Sequence, residues 1–316
     1  MRGLERAKQI IRDSKTILIA CHVNPDGDCI GSLLSLGLAL KKLGKRVYLV
    51  SPGGVPRDYR ALPGAGLIRR TVDCSPDLAI AVDCNEKLML GKSYRIFQRA
   101  KAVMEIDHHL FRKPFGGFLL IDTEAAAVGE IIYLLLKSLK LRLDGDIAQN
   151  ILTSLIVETN SFRLASTRES TFRICAKLMA IGVDFSRLTE MIYWSSSKQA
   201  MLLSGICFSR CRFLKHDRLV WSIVRIRDFR AAGGRDEDVD AVADDMRAIK
   251  SVQVSILFRE KSPKHLRVSL RSKGQINIGS LAEKYSGGGH FDVAGCVIPN
   301  NPGSIKMFLK EAASLI

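Results

Sequence analysis

No apolar run in this 316-residue chain approaches the roughly 18 residues that cross a membrane. The opening MRGLERAKQIIRDS also lacks the uninterrupted apolar core of a signal peptide, so the expectation is a cytoplasmic protein with no membrane partner. A second close cysteine pair is missing too. Of the 8 cysteines only Cys207 and Cys211 lie near each other, and a four-ligand zinc site needs another pair. The scattered thiols read as reduced small hydrophobes. No base-and-orienter pattern accompanies Cys21, Cys29 or Cys84, which excludes them as nucleophiles. Acidic residues are in deficit, 32 against 48 Lys and Arg, and the resulting charge of +16 favours anionic partners such as nucleotides or nucleic acid. Internal repeats, low-complexity tracts and long Pro/Ser linkers are absent as well.

What is present is a globular composition, 47% apolar and 25% charged, long enough for two ordinary domains. The apolar runs TILIA, RVYLV, DLAIAVD, AVMEID and GGFLLID are separated by helical patterns such as Ile30 to Leu43 and Ala125 to Leu139. That alternation predicts an α/β fold with a mostly parallel sheet flanked by helices. From about Ala148 to Cys207 the pattern turns helical, and after it LVWSIVRI, VQVSILF and HLRVSL predict a second, smaller α/β domain across a cleft. The expected boundaries are a metal-binding catalytic domain over 1–190, a helical connector over 191–212 and a substrate-binding domain over 213–316. The acids from Asp236 to Asp245 read as a solvated helix face, because carboxylates so spaced point to different sides.

Three early apolar runs end in polar groups: one at His22, one at Asp83 and one at Asp107, His108 and His109. Carboxyl ends of parallel strands share one sheet edge, so these groups are expected to converge where ligands bind. The loop HVNPDGDCIGS adds Asp26 and Asp28 within seven residues of His22, and such crowding calls for a positive charge among them. Four of the 6 histidines fall in these stretches or in GGGH, at 22, 108, 109 and 290. Imidazole with carboxylate suits manganese first, with magnesium or cobalt as alternatives. A calcium loop is excluded, because Cys29 and Ser35 stand where its Gly and bidentate Glu belong.

HVNPDGDCIGS, AVDCNE and IDHH, in that order, resemble the first three motifs of the DHH phosphoesterase superfamily, and VETNSF at 157–162 its fourth. RSKGQINIGSLAEKYSGGGHFDVAGC is similar to the associated DHHA1 domain, and the likeness as a whole is to the branch of oligoribonucleases and pAp phosphatases. The resemblance implies two Mn²⁺ per chain: one on His22 and Asp26, one on Asp28 and His108, with Asp83 bridging. It implies that Asp107 orients an imidazole, that His109 faces the phosphate and either stabilises charge or helps protonate the leaving oxygen, and that Arg271, Gly287, Gly288, Gly289 and His290 hold the substrate's far phosphate or nucleotide. Paired ions of this kind activate a water for in-line hydrolysis.

In motif four Glu158 stands where the family has aspartate, and Asn160 where it has glycine. The expectation is a retained second metal site with Glu158 as ligand; attenuated catalysis competes with it. The expected function is hydrolysis of short oligoribonucleotides or adenosine 3′,5′-bisphosphate. The alternatives are a cyclic- or linear-dinucleotide phosphodiesterase, a nucleotide sensor weakened at Glu158 and, less favoured because of GGGH, a pyrophosphatase. The resemblance allows a homodimer, which no heptad in the chain supports.

Overall fold

Short β-branched and aliphatic runs build the sheet of the first unit. These are β1 (Thr16–Ala20), β2 (Arg46–Val50), β3 (Ile68–Arg69), β4 (Leu78–Val82), β5 (Ala102–Asp107) and β6 (Phe118–Ile121). The computed structural model describes residues 3–194, 196–274, 276–289 and 291–316, and the chain divides into two units, 1–195 and 196–316.

The strands of the first unit lie in the order β3-β2-β1-β4-β5-β6, and every pair is parallel. All five expected strands form; the two-residue β3 had no periodicity to announce it. β4 is buried at all five positions, as a strand covered on both faces must be. The order reverses between β1 and β4, and the crevice beyond their carboxyl ends is the place where such sheets bind ligands.

The first four α-helices of the first unit are α1 (Leu4–Asp13), α2 (Gly27–Lys42), the short α3 (Tyr94–Phe97) and α4 (Val128–Ser138). They are followed by α5 (Gly145–Glu158), α6 (Glu169–Met179) and α7 (Phe185–Tyr193). The two faces are covered unequally. Leu33, Leu34, Ile131, Leu135, Ile151 and Leu155 of α2, α4 and α5 join the main core, while Ile96 and Phe97 of α3 close a smaller one with Leu18, Ala79 and Ala81.

In the second unit α8 (Lys198–Ser209) comes first, followed by β7 (Arg212–Leu214) and β8 (Leu219–Val224). Then come α9 (Ile226–Ala232), α10 (Val242–Arg247), β9 (Val254–Ser262), β10 (His265–Ser272), α11 (Gly279–Lys284), β11 (Gly288–Gly289), β12 (Val293–Pro299) and α12 (Pro302–Ala313). Its sheet runs β11-β12-β10-β9-β8-β7, antiparallel except for the β8/β9 pair. The helix expected within a connector belongs to this unit: Leu203 and Cys207 of α8 are buried with Val220, Val224 and Met246.

The acidic stretch is a 3-10 turn, Asp236–Val239, followed by α10 rather than one helix. Its carboxylates are only partly solvated, because arginines of the sheet reach them. Asp240 accepts from the buried Arg259 at 2.5 Å, and Asp244 accepts from Arg271 Nε at 2.9 Å. Among the described residues no helix is long and apolar enough to cross a membrane.

Candidate metal centre

The crevice at the end of β1 and β4 collects seven of the expected side chains around Asp83. This residue follows β4 directly and adopts φ 56°, a left-handed turn that aspartate tolerates better than most residues. Its own N–H donates to Ile106 O at 3.0 Å, so the turn stays tied to β5. Asp83 Oδ2 lies 3.5 Å from His22 Nε2, and Oδ1 lies 3.9 Å from His108 Nε2 and 3.6 Å from His109 Nδ1.

On one side of Asp83 stand His22 and Asp26, with His22 Nε2 3.8 Å from Asp26 Oδ2. The other oxygen of Asp26 accepts from Cys29 N at 2.9 Å, so this carboxylate caps α2 while facing His22. On the other side stand Asp28, His108 and Glu158. His108 Nε2 is 3.8 Å from Asp28 Oδ2 and 3.7 Å from Glu158 Oε1. Glu158 of motif four therefore reaches the imidazole that also faces Asp28 and Asp83. The turn after it carries positive φ at Asn160, Ser161 and Phe162, and asparagine is among the few residues that accept this in place of glycine.

Each of these groups is held by neighbours. Asp28, fully buried, accepts from Ser32 Oγ at 3.1 Å, Ser154 Oγ at 2.6 Å and Val128 N at 2.9 Å. His108 Nδ1 sits 3.1 Å from Ala125 O; a carbonyl only accepts, so Nδ1 carries a proton and Nε2 is the ring nitrogen that faces the carboxylates. Asp107 Oδ1 accepts from His109 Nδ1 at 2.7 Å and from His108 N at 2.9 Å. The imidazole that Asp107 orients is thus that of His109.

The charges of the cluster are unbalanced. Burial, with Asp83 next, pushes Asp28 up to about 7. Burial acts to lower His22, but the Asp83 and Asp26 carboxylates outweigh it and raise the imidazole to about 9. Burial likewise acts to raise Asp83, and His22, His109 and His108 together hold it well below the usual carboxylate range. Three acids in a buried crevice take up positive charge wherever they can.

A divalent cation fits this arrangement. Two ligand atoms about 2.1 Å from one ion are roughly 3–4 Å apart, the spacing found here. The decisive feature is Asp83 Oδ1, which is buried and receives no hydrogen bond from the described residues while three imidazoles surround its carboxylate. Donor atoms of Asp28, His108 and Glu158, and of Asp83, His108 and His109, fall within 4.8 Å of one another. Cys29 Sγ shares a third such group with His22 and Asp26, but burial pushes its thiol well above the ordinary value, and a retained proton makes a poor ligand.

The remaining expected residues are in the second unit. Arg271 lies on β10 opposite Val293, with Nε on Asp244 and an Nη on Leu270 O at 3.0 Å. Gly287 and Gly289 have a packing reason: a Cβ would come within 2.2 Å of Gly295 O and 2.4 Å of Val293 O respectively. Gly288 has none, since a Cβ there would meet open space, and it lies on the edge strand β11. His290 lies outside the described residues.

Sequence reasoning overlooked Ser32, Ser154, Glu105 and Arg112. Ser32 and Ser154 carried a signal, each four residues from a carboxylate on its own helix, Asp28 and Glu158, a spacing that stacks side chains on one face.

Residues 16–159 match the family described as "DHH family, N-terminal domain", and residues 222–316 match "DHHA1 domain". The chain is 32% identical over 285 residues to the "Bifunctional oligoribonuclease and PAP phosphatase NrnA" of Thermus thermophilus, covering 89% of this chain and 84% of that protein. It is 25% identical over 283 residues to the Bacillus subtilis protein of the same description, covering 87% of each. A crystal structure of an exopolyphosphatase-related protein from Bacteroides fragilis shares the fold, with TM-score 0.90 and 22% identity over 99% of this chain and 95% of that one.

Proposed function

This chain belongs to the DHH family, among the members that carry a DHHA1 domain, and from that premise we propose that it hydrolyses short oligoribonucleotides and adenosine 3′,5′-bisphosphate with two manganese ions. The observation that carries the reading is the Asp83 carboxylate, set at the switch point of the sheet between a His22/Asp26 side and an Asp28/His108/Glu158 side. His22, Asp26 and Asp83 would hold one ion; Asp28, His108, Glu158 and Asp83 the other. Ions bound there supply Lewis-acid charge to the phosphate and acidify the attacking water.

The protein's own groups do the rest. Ser32, Ser154 and the Val128 N–H hold Asp28 in one rotamer, and Ala125 O fixes the His108 tautomer. His109, turned by Asp107, serves the phosphate and supplies a proton to the leaving oxygen. Within the second unit, Arg271 and the Gly287–Gly289 run would bind a phosphate. Arginine's planar fork suits that task, and the bare Gly288 admits close approach to the backbone.

Purified protein assayed with manganese on pApA and on adenosine 3′,5′-bisphosphate tests the reading. AMP release that falls by several orders of magnitude in Asp83→Ala is the expected result. Tight nucleotide binding without turnover would instead establish a sensor. A single bound manganese per chain with negligible hydrolysis would defeat the two-ion reading.

A further inference from the structure

Arg112 has no place in the reading above, yet it sits five residues after Asp107 with only 8% of its side chain exposed. Its Nε lies 3.0 Å from Asp107 Oδ2, and an Nη donates to Glu105 Oε2. Both carboxylates are fully buried. Glu105 Oε1 in turn accepts from Phe115 N at 2.7 Å and Gly116 N at 2.5 Å, which fastens the far end of the loop after β5 back onto that strand. Asp107 Oδ2 receives no hydrogen bond from the described residues, so the Arg112 charge is what faces it. The opposite oxygen, Oδ1, holds His109 Nδ1.

Two buried carboxylates on alternate residues of one strand are costly without a cation between them. A guanidinium can serve both because its fork presents several N–H groups in one plane, whereas an ammonium is a single point of charge. The rotamer of Asp107, and with it the direction in which His109 presents Nε2, therefore depends on a side chain that touches neither phosphate nor metal ligand.

Resting on the phosphoesterase reading, we propose that Arg112 is a positioning residue for leaving-group protonation, acting through Asp107 on His109. In that step the water oxygen forms the new P–O bond as the old one breaks. The electron pair passes to the leaving oxygen, that oxygen takes the proton from His109 Nε2, and the proton shed by water goes to solvent. A ribose alkoxide needs that proton; a p-nitrophenolate leaves without it.

The test compares a diribonucleotide with a p-nitrophenyl phosphodiester in wild type, Arg112→Lys and the double variant Glu105→Gln/Arg112→Met, in which one buried charge is removed with the arginine. Manganese binding is measured by calorimetry in parallel and is expected to be unchanged in stoichiometry and within threefold in affinity. The expected kcat on the diribonucleotide falls about 10²-fold in the double variant and less in Arg112→Lys, while KM stays put and the aryl ester loses about threefold or less. Equal losses on both substrates, or weakened manganese binding in both variants, would show a merely structural arginine and overturn the proposal. So would full diribonucleotide turnover in both. A wild-type protein that cleaves the aryl ester but neither the diribonucleotide nor adenosine 3′,5′-bisphosphate would remove the substrate reading itself, and this inference with it.

Discussion

The hydroxyl of Ser154 shows how much of this centre depends on residues that touch no substrate. At 2.6 Å it is the shortest of three hydrogen bonds to Asp28, and both groups are fully buried. Ser154→Ala leaves one bond fewer on a buried carboxylate. The expected cost is about 1–3 kcal/mol in urea unfolding without metal, and manganese should recover part of it. Asp83 poses a different question, because its backbone is left-handed as well as its carboxylate central. Asparagine accepts the same turn, so Asp83→Asn should unfold within about 1 kcal/mol of wild type while losing manganese binding and turnover. A variant that kept its metal would show that Asp83 is no shared ligand.

At the scale of elements, the pairing of α2 with α5 decides whether Asp28 and Glu158 meet at His108. Gly31 on α2 lies against the backbone of α5, where a Cβ would stand 2.4 Å from Asn150 O. Gly31→Ala must separate the two helices. It should lose about 1–3 kcal/mol in denaturant, and manganese affinity should fall with it, since Ser154 and Glu158 both ride on α5. A second element is anchored by charge. Lys101, with the Thr16 and Lys15 N–H groups, holds Asp77 down to about 2, tying the start of β1 to β4 and β5. A depressed folded value means the contribution is complete above the ordinary carboxylate range and lost as the pH falls from about 4 towards 2. Asp77→Ala should therefore lower the melting temperature at pH 7 and narrow its gap to wild type at pH 2. A gap that widened on acidification would contradict this.

For the whole molecule, two units with separate cores predict separable responses to ligand. Manganese should stabilise residues 1–195 by about 2.7 kcal/mol per bound ion at a hundredfold excess over its Kd, raising their thermal transition, and should leave that of 196–316 in place. Calorimetry of the full chain with and without the ion reads this directly. The net charge of +16 predicts in addition that KM for a diribonucleotide climbs with salt, as phosphate binding releases counterions.

Much of this was legible along the chain. Alternating apolar runs announced the parallel sheet, and polar residues at the ends of three of them marked the edge where the His and Asp side chains gather, because strand ends converge whatever the intervening sequence. Local chemistry thus determined the strands and the histidine-carboxylate inventory, and the excess of Lys and Arg pointed towards an anionic partner. Only tertiary structure decided which imidazole Asp107 holds, that Glu158 reaches His108, and that α8 packs into the second unit. It also brought Arg112 back onto Glu105 and Asp107. The physical reason is that periodicity reports which face a residue occupies, while the partner across a buried contact is set by how close two elements can come. Here that distance rests on single positions such as Gly31, whose significance appears only against the backbone of another helix.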